Sequence, residues 1–228
     1  MTDTKKAIVV LSGGLDSTVL LYHVRTNLKR DTTAICFDYG QRHSRELDFA
    51  KFHCNNLNLN LRTVNLNLPT SSMCSLLNTN VEVPHIKDVL GDPQPNTYVP
   101  NRNMMFLSIA AAAAEIENAE EIYYGAAEID THSGNWDCSL DFLDYMNQTL
   151  SLNRRNTLKV VAPFITYSKI DIIKLGKELS VPLEYTHTCY KGEEVACGVC
   201  SSCSSRIKGF IDAGIADPIK YNIPIKWK

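Results

Sequence analysis

Ala7-Ile8-Val9-Val10-Leu11-Ser12-Gly13-Gly14-Leu15-Asp16-Ser17, near the start of the 228-residue chain, decides how the rest is read. A short β-rich apolar run stops at paired glycines and opens into an amphipathic stretch, which predicts strand, tight loop and helix N-terminus in that order. The glycines let the backbone take positive φ and bring bare N–H groups close to a ligand. Ser12, Asp16 and Ser17 add polar side chains, and the positive dipole end of a helix over 16–28 points at the same spot. The expected result is a phosphate cradle formed by Leu11, Ser12, Gly13, Gly14, Leu15, Asp16, Ser17 and Thr18. Neither Gly-x4-Gly-Lys-[Ser/Thr] nor Gly-x-Gly-x-x-Gly occurs in the chain. A Gly-Gly turn capped by Ser or Asp uses the same residue types, but the position directly after a strand favours the cradle.

Outward from this stretch, strand-like and helix-like patterns alternate. Strands are expected over 7–11, 33–37, 61–66, 121–124 and 159–162, and helices over 16–28, 46–56, 103–117, 140–152 and 169–179. Strands separated by helical stretches of this length imply right-handed βαβ units. The fold class is therefore α/β: a Rossmann-like parallel sheet with helices on both faces, whose ligands bind beyond the carboxyl ends of the strands. The apolar run 109–114 lies inside a helix pattern and predicts close helix–sheet packing. The exception to the alternation is 69–100, polar and holding five prolines. It is too long for a plain connection and predicts a lid or interface element. The expected division is a nucleotide-binding α/β domain over 1–186, carrying this insertion, and a metal-held module with a C-terminal helix over 187–228.

Hydrophobic residues at 44% and charged residues at 21% describe an ordinary globular protein with one sizeable core. A net charge of −2 gives no support to a nucleic-acid-binding face. No apolar stretch approaches the roughly 18–20 residues that span a membrane, and the N-terminus does not read as a signal peptide. The expected location is the cytoplasm.

Four of the eight cysteines crowd into Cys189-x7-Cys197-x2-Cys200-x2-Cys203, which is no disulfide framework. Short Cys-x2-Cys spacings can converge tetrahedrally, with Gly192 and Gly198 allowing the turns. Zinc is the first reading and an iron–sulfur cluster the rival; a fourth cysteine close upstream and no Cys-Pro ending favour zinc. Four sulfur ligands leave no open position, so this site stabilises the module rather than doing chemistry. Cys36 and Cys54 fit small core positions, while Cys74 lies in a polar loop with no role.

Further candidates sit where strands end. Asp38-Tyr39-Gly40-Gln41-Arg42-His43 follows the second strand, and Arg42 and His43 offer cationic groups to an anion. Val99-Pro100-Asn101-Arg102-Asn103 opens a helix, so Arg102 and the helix amides can meet a carboxylate or phosphate. Ser133, Asp137, Cys138 and Asp141 fall in a polar loop before the next helix, where Asp137 could equally be an N-terminal cap. Lys169 starts another helix, and a phosphate contact is its sharper reading.

The six residues Ser12–Ser17 resemble the pyrophosphate loop of ATP pyrophosphatases. Joined to Phe37–His43, Val99–Asn103, Ser133-Gly134, Asp137-Cys138, Lys169, the cysteine signature, Arg206 and Asp217-Pro218, they resemble the 7-cyano-7-deazaguanine synthase family over 7–221. The resemblance implies a PP-loop (HUP) fold and an ATP-dependent C–N ligase. Such a ligase adenylates 7-carboxy-7-deazaguanine, lets ammonia displace AMP to give an amide, and dehydrates the amide with a second ATP. The implied cofactors are ATP, Mg²⁺ and Zn²⁺; the implied partners are small molecules and a second copy in a homodimer, with no nucleic acid or membrane. Ser12, Gly13, Gly14, Asp16 and Ser17 would hold pyrophosphate with Lys169 nearby. Arg42, His43 and Arg102 would orient the substrate or stabilise the adenylate, and Gln41, Ser133, Asp137, Cys138 and Asp141 would meet it. The chain departs from the family at Ser139-Leu140-Asp141, where the family carries an Arg and a Glu. That departure raises a second reading, a ligase stopping at the amide. A tRNA-modifying pyrophosphatase is a third, which the charge disfavours.

Overall fold

The computed structural model describes residues 4–42, 45–68, 73–92, 94–127, 136–153 and 158–227. Five strands, β1 (Lys6–Val10), β2 (Asp31–Asp38), β3 (Asn60–Asn65), β4 (Glu121–Tyr123) and β5 (Lys159–Val161), form one sheet in the order β3-β2-β1-β4-β5. All neighbours are parallel; Ile8 stands between Thr33 of β2 and Ile122 of β4. The central strand is an unbroken apolar run because both of its faces are covered: Ala7, Ile8 and Val9 are all buried.

The pleat sends alternate side chains to two cores. Ile8, Ile35 and Ile122 pack against α4 (Arg102–Glu117) and α5 (Leu140–Ser151), through Leu107, Ala110, Ala114, Phe142 and Met146. Val9, Ala34 and Tyr123 face the other way, against α1 (Leu15–Thr26), α2 (Arg45–Asn56) and α6 (Lys169–Glu178), through Val19, Leu20, Ala50, Ile172 and Ile173. The small side chains of α4 allow the close helix–sheet approach expected of them.

Strand order reverses at β1. The chain steps outward to β2 and β3, then returns across the sheet through 66–120 to β4 on the other side. A crevice therefore opens beyond the carboxyl ends of β1 and β4, as open parallel sheets dictate. The returning connection holds a four-residue helix, α3 (Ile86–Val89). Cys74, which sequence placed in a polar loop, is 2% exposed, because the loop folds its Cys74-Ser75-Leu76 turn into the α4 core. Cys36 and Cys54 are buried core residues.

The last helix, α7 (Ser201–Asp212), lies so close to α6 that a Cβ on Gly209 would stand 2.5 Å from Lys169 Cγ. Among the described residues, no helix is long and apolar enough to cross a membrane.

Candidate active site

The crevice is a cavity of about 650 Å³ reached from the carboxyl ends of the strands. Its floor is the 10–17 loop. Gly13 takes φ +87°, and a Cβ there would lie 2.1 Å from the backbone oxygen of Glu46, so only glycine lets α2 approach the loop. The Ser12 and Ser17 hydroxyls are 2.9 Å apart, the Gly14 amide donates to Ser12 Oγ (3.1 Å), and the Ser12 amide donates to Ser17 Oγ (3.2 Å). The His187 amide donates to the Gly13 carbonyl at 3.0 Å, tying the loop to the C-terminal segment. Gly14 is the N-cap of α1, and its side-chain-free position exposes the helix start. Gly125 sits over that start, where a Cβ would meet the Ser17 amide at 3.3 Å.

Lys169, the first residue of α6, is 9% exposed, and its ammonium lies 2.6 Å from Asp16 Oδ2. The Ser168–Asp171 capping box fixes the start of that helix and hence the lysine. The other Asp16 oxygen, Oδ1, is buried with no hydrogen-bond partner among the described residues. Leu11 and Leu15 line the cavity, whereas Thr18, fully buried within α1, does not.

Opposite the loop, Arg102 and Asn103 project from the start of α4. Arg102 donates to the Tyr39 hydroxyl (3.3 Å), while burial pushes the Tyr39 phenol up. Asp137 and Cys138 line the same wall, with Asn103 Nδ2 3.6 Å from Cys138 Sγ. Gln41 closes the β2 turn by accepting from the Tyr39 amide (2.8 Å) and donating to the Phe37 carbonyl (3.1 Å). The roof comes from the 69–100 insertion, through Ile86, Val89, Leu90, Asp92 and Tyr98.

Two expected contacts are placed elsewhere. Arg42 does not line the cavity; its guanidinium donates to the carbonyls of Asn78 and Val81 at 2.8 Å each, holding the insertion against the β2 turn. Asp141 is exposed on the first turn of α5, outside the cavity, because Ser139 starts the helix there: Ser139 Oγ accepts from the Phe142 amide at 3.1 Å. His43 and Ser133 lie outside the described residues.

Sequence reasoning did not single out Glu46, on the first turn of α2. It lines the cavity, and burial pushes its carboxyl up to about 8 although Arg102 opposes the shift. Its place one turn after a strand-end glycine loop was the available signal. Nor did sequence single out Ser201 and Ser205 at the start of α7, which line the cavity beside Ser202, a residue it carried only within the cysteine signature.

The Sγ atoms of Cys189, Cys197, Cys200 and Cys203 all lie within 4.8 Å of one another and are buried. Four thiolates at tetrahedral Zn–S distances of about 2.3 Å stand roughly 3.8 Å apart, and Cys197 Sγ lies 3.9 Å from Cys203 Sγ. The donor set fits one metal ion. Amides of Cys197, Cys200 and Cys203 point at neighbouring sulfurs (3.3–3.5 Å), which favours thiolates. Behind this site, Arg206 is 1% exposed and pairs twice with Asp217, at 2.7 and 2.9 Å. It also donates to Thr186 Oγ1 (2.7 Å), fixing the segment that carries His187.

Sheet order, loop and crevice define a PP-loop α/β fold. The same fold is found in the U34-tRNA thiolase NcsA from Methanococcus maripaludis, at TM-score 0.50 and 15% identity over 92% of this chain and 66% of that one. It is also found in NMN synthetase from Francisella tularensis, at TM-score 0.51 and 13% identity over 94% and 79%. The family described as "Queuosine biosynthesis protein QueC" matches residues 6–214. The 7-cyano-7-deazaguanine synthase of Thermoplasma volcanium is 45% identical, covering 96% of this chain and 91% of the relative. That of Clostridium kluyveri is 42% identical, covering 95% and 98%. The chain belongs to the 7-cyano-7-deazaguanine synthase family.

Proposed function

We propose that this protein is a C–N ligase that converts 7-carboxy-7-deazaguanine and ammonia to 7-cyano-7-deazaguanine, using ATP twice and releasing AMP and pyrophosphate. One observation carries the reading: a single cavity joins the Ser12–Ser17 loop to a wall bearing Arg102, Asn103 and Asp137. A carboxylate is a poor acyl donor, and adenylation turns its oxygen into part of a leaving group. The Ser12 and Ser17 hydroxyls, the Gly14 amide and the α1 dipole would hold the departing pyrophosphate, with charge met by donors already in place. Lys169, pinned by Asp16, would add a cation. Arg102 would orient the substrate carboxylate, and the Asp137 carboxylate would accept from N–H groups of a guanine-like edge.

The buried Asp16 Oδ1 fits a Mg²⁺ ion arriving with the nucleotide. When bound, the ion supplies charge neutralisation on the phosphates. The four cysteines fit Zn²⁺, since sulfurs gathered within 4.8 Å leave room for one ion and not for a multi-iron cluster between them. Closed by four sulfurs, that ion would stabilise structure and take no part in the reaction.

The amide-stopping reading rested on Ser139-Leu140-Asp141. None of the three lines the cavity, whereas Asp137 and Cys138 do, and this supports the full reaction over the truncated one. The test is the end-point product, by mass spectrometry, from the carboxy substrate, ammonia, Mg²⁺ and excess ATP. The expected result is the nitrile, with AMP in twice its amount. A persistent amide with equal AMP would select the truncated reaction, and ADP with orthophosphate would overturn the adenylation chemistry.

A further inference from the structure

Glu46 has no part in the steps above, yet it stands where they take place. The glycine pair of the loop lets α2 come so close that Glu46 Oε1 lies 3.9 Å from where a Gly14 Cβ would be. Its carboxyl is thus beside the pyrophosphate loop, on the side from which Arg102 and Tyr39 face it across the cavity. Among the described residues, the other charged side chains lining the cavity are Asp16 paired with Lys169, Asp92, Asp137 and Arg206, and its other titratable ones are Cys138, His187, Tyr98, Tyr124 and Tyr190.

A permanent carboxylate at this place would repel both anionic substrates. Burial instead holds the proton until about pH 8, so the group is a neutral acid while ATP and a carboxylate enter and a competent base once ionised. Both nitrogen steps of the proposed reaction must shed a proton, and Glu46 lines the cavity in which they take place, beside the loop that would hold the nucleotide.

We propose that Glu46 is the proton acceptor for both nitrogen steps, an assignment that rests on the reading under "Proposed function". In the first step ammonia forms a C–N bond to the adenylated carboxyl carbon. The C–O bond to AMP breaks with its electron pair leaving on the phosphate oxygen, and the surplus proton on nitrogen passes to the Glu46 carboxylate. In the second step the adenylated amide, as its neutral imidate, loses AMP in the same way. The N–H pair becomes the third C–N bond, and that proton goes to Glu46. Between steps the acid returns its proton to water in the cavity.

Glu46→Gln keeps shape and hydrogen bonding and removes the base. Exchange of inorganic pyrophosphate into ATP, with the carboxy substrate and no ammonia, reads adenylation alone. The variant should retain it within a few-fold, while amide formation falls about 10²–10⁴-fold, the range typical of a lost general base. With hydroxylamine as a nucleophile that stays neutral across the range, the wild-type rate should rise with pH through about 8 and then level. Glu46→Gln should lose that rise, and Glu46→Asp should recover part of the rate. Loss of exchange together with amide formation would show a binding role and overturn the proposal, as would an unchanged amide rate or a flat wild-type profile. Should Glu46→Gln fail to fold, the wild-type profile and Glu46→Asp decide. Absence of exchange in the wild-type protein overturns the adenylation reading and takes this proposal with it; exchange without an effect at Glu46 overturns this proposal alone.

Discussion

At the residue scale, the half-buried carboxyl of Glu46 makes stability depend on pH in a definite direction. Its pKa rises from 4.5 in the unfolded chain to about 8 in the folded one, so the native state binds more protons between those values. Stability therefore falls as pH rises through that window, and the contribution is fully unfavourable above it. Glu46→Gln removes the titration. We expect its melting temperature to exceed that of the wild type at pH 8.5 and the gap to shrink toward pH 5, measured by thermal unfolding across the range. A gap that grows toward acid pH would contradict the assignment. Single residues differed in how far sequence revealed them. Ser12, Gly14 and Ser17 were legible because the bonds among them join residues at most five apart. Arg42 was misread because its acceptors, Asn78 and Val81, lie 36 and 39 residues away. Glu46 was missed because the groups that mark its place, Gly14 and Arg102, lie far from it in sequence.

At the scale of elements, nearly every strand and helix of the sheet was legible, since both periodicities are local and the loops between them are marked by Gly, Pro and Asn. The differences lie where tertiary contacts decide. β2 runs over Asp31–Asp38 rather than 33–37 because β1 pairs with 31–35 and β3 with 33–38, which between them cover its whole length. The short α3 forms in a segment without periodicity because Ile86 donates its amide to the Val199 carbonyl at 3.0 Å. Ser139 shows the same limit at a helix end. Read beside the family, it marked a lost cation at the substrate. In place, it caps α5, accepting from Phe142 N and donating to the Trp136 carbonyl at 2.7 Å. Ser139→Ala should cost about 1 kcal/mol, the usual value of a lost N-cap, seen as a lower urea midpoint with an unchanged slope. Nitrile formation should be unchanged, because Ser139 does not line the cavity. A fall in turnover at constant stability would instead place this position at the substrate.

At the scale of the molecule, the tetracysteine site and the reaction cavity share a wall. Val83 is 1% exposed and packs among Cys189, Cys197, Cys200 and Cys203, and Ile86 is bonded to Val199 between two of those cysteines. Three residues further on, Val89 and Leu90 form the cavity roof, and Leu90 is 82% exposed at its rim. On the other side Cys200 caps α7, whose first turn carries Ser201 and Ser202 into the cavity. A metal ion holding the four sulfurs would thus fix two walls at once without touching substrate. Metal binding at such sites is coupled to folding, so its removal should act locally before it acts globally. Treating the intact protein with a chelator should release one ion per chain and make four thiols reactive, the number gathered at the site. The melting temperature should fall. Amide hydrogen exchange should accelerate in 83–92 and at the start of α7, while β1 and β2, buried on both faces, keep their protection. Substrate KM should rise more than kcat falls, because the roof is loosened while the loop and Arg102 stay in place. Metal loss that leaves exchange in 83–92 unchanged would mean that the insertion is held by its other contacts, the Arg42 bonds and the Cys74–Leu76 turn among them, and that the two sites are independent.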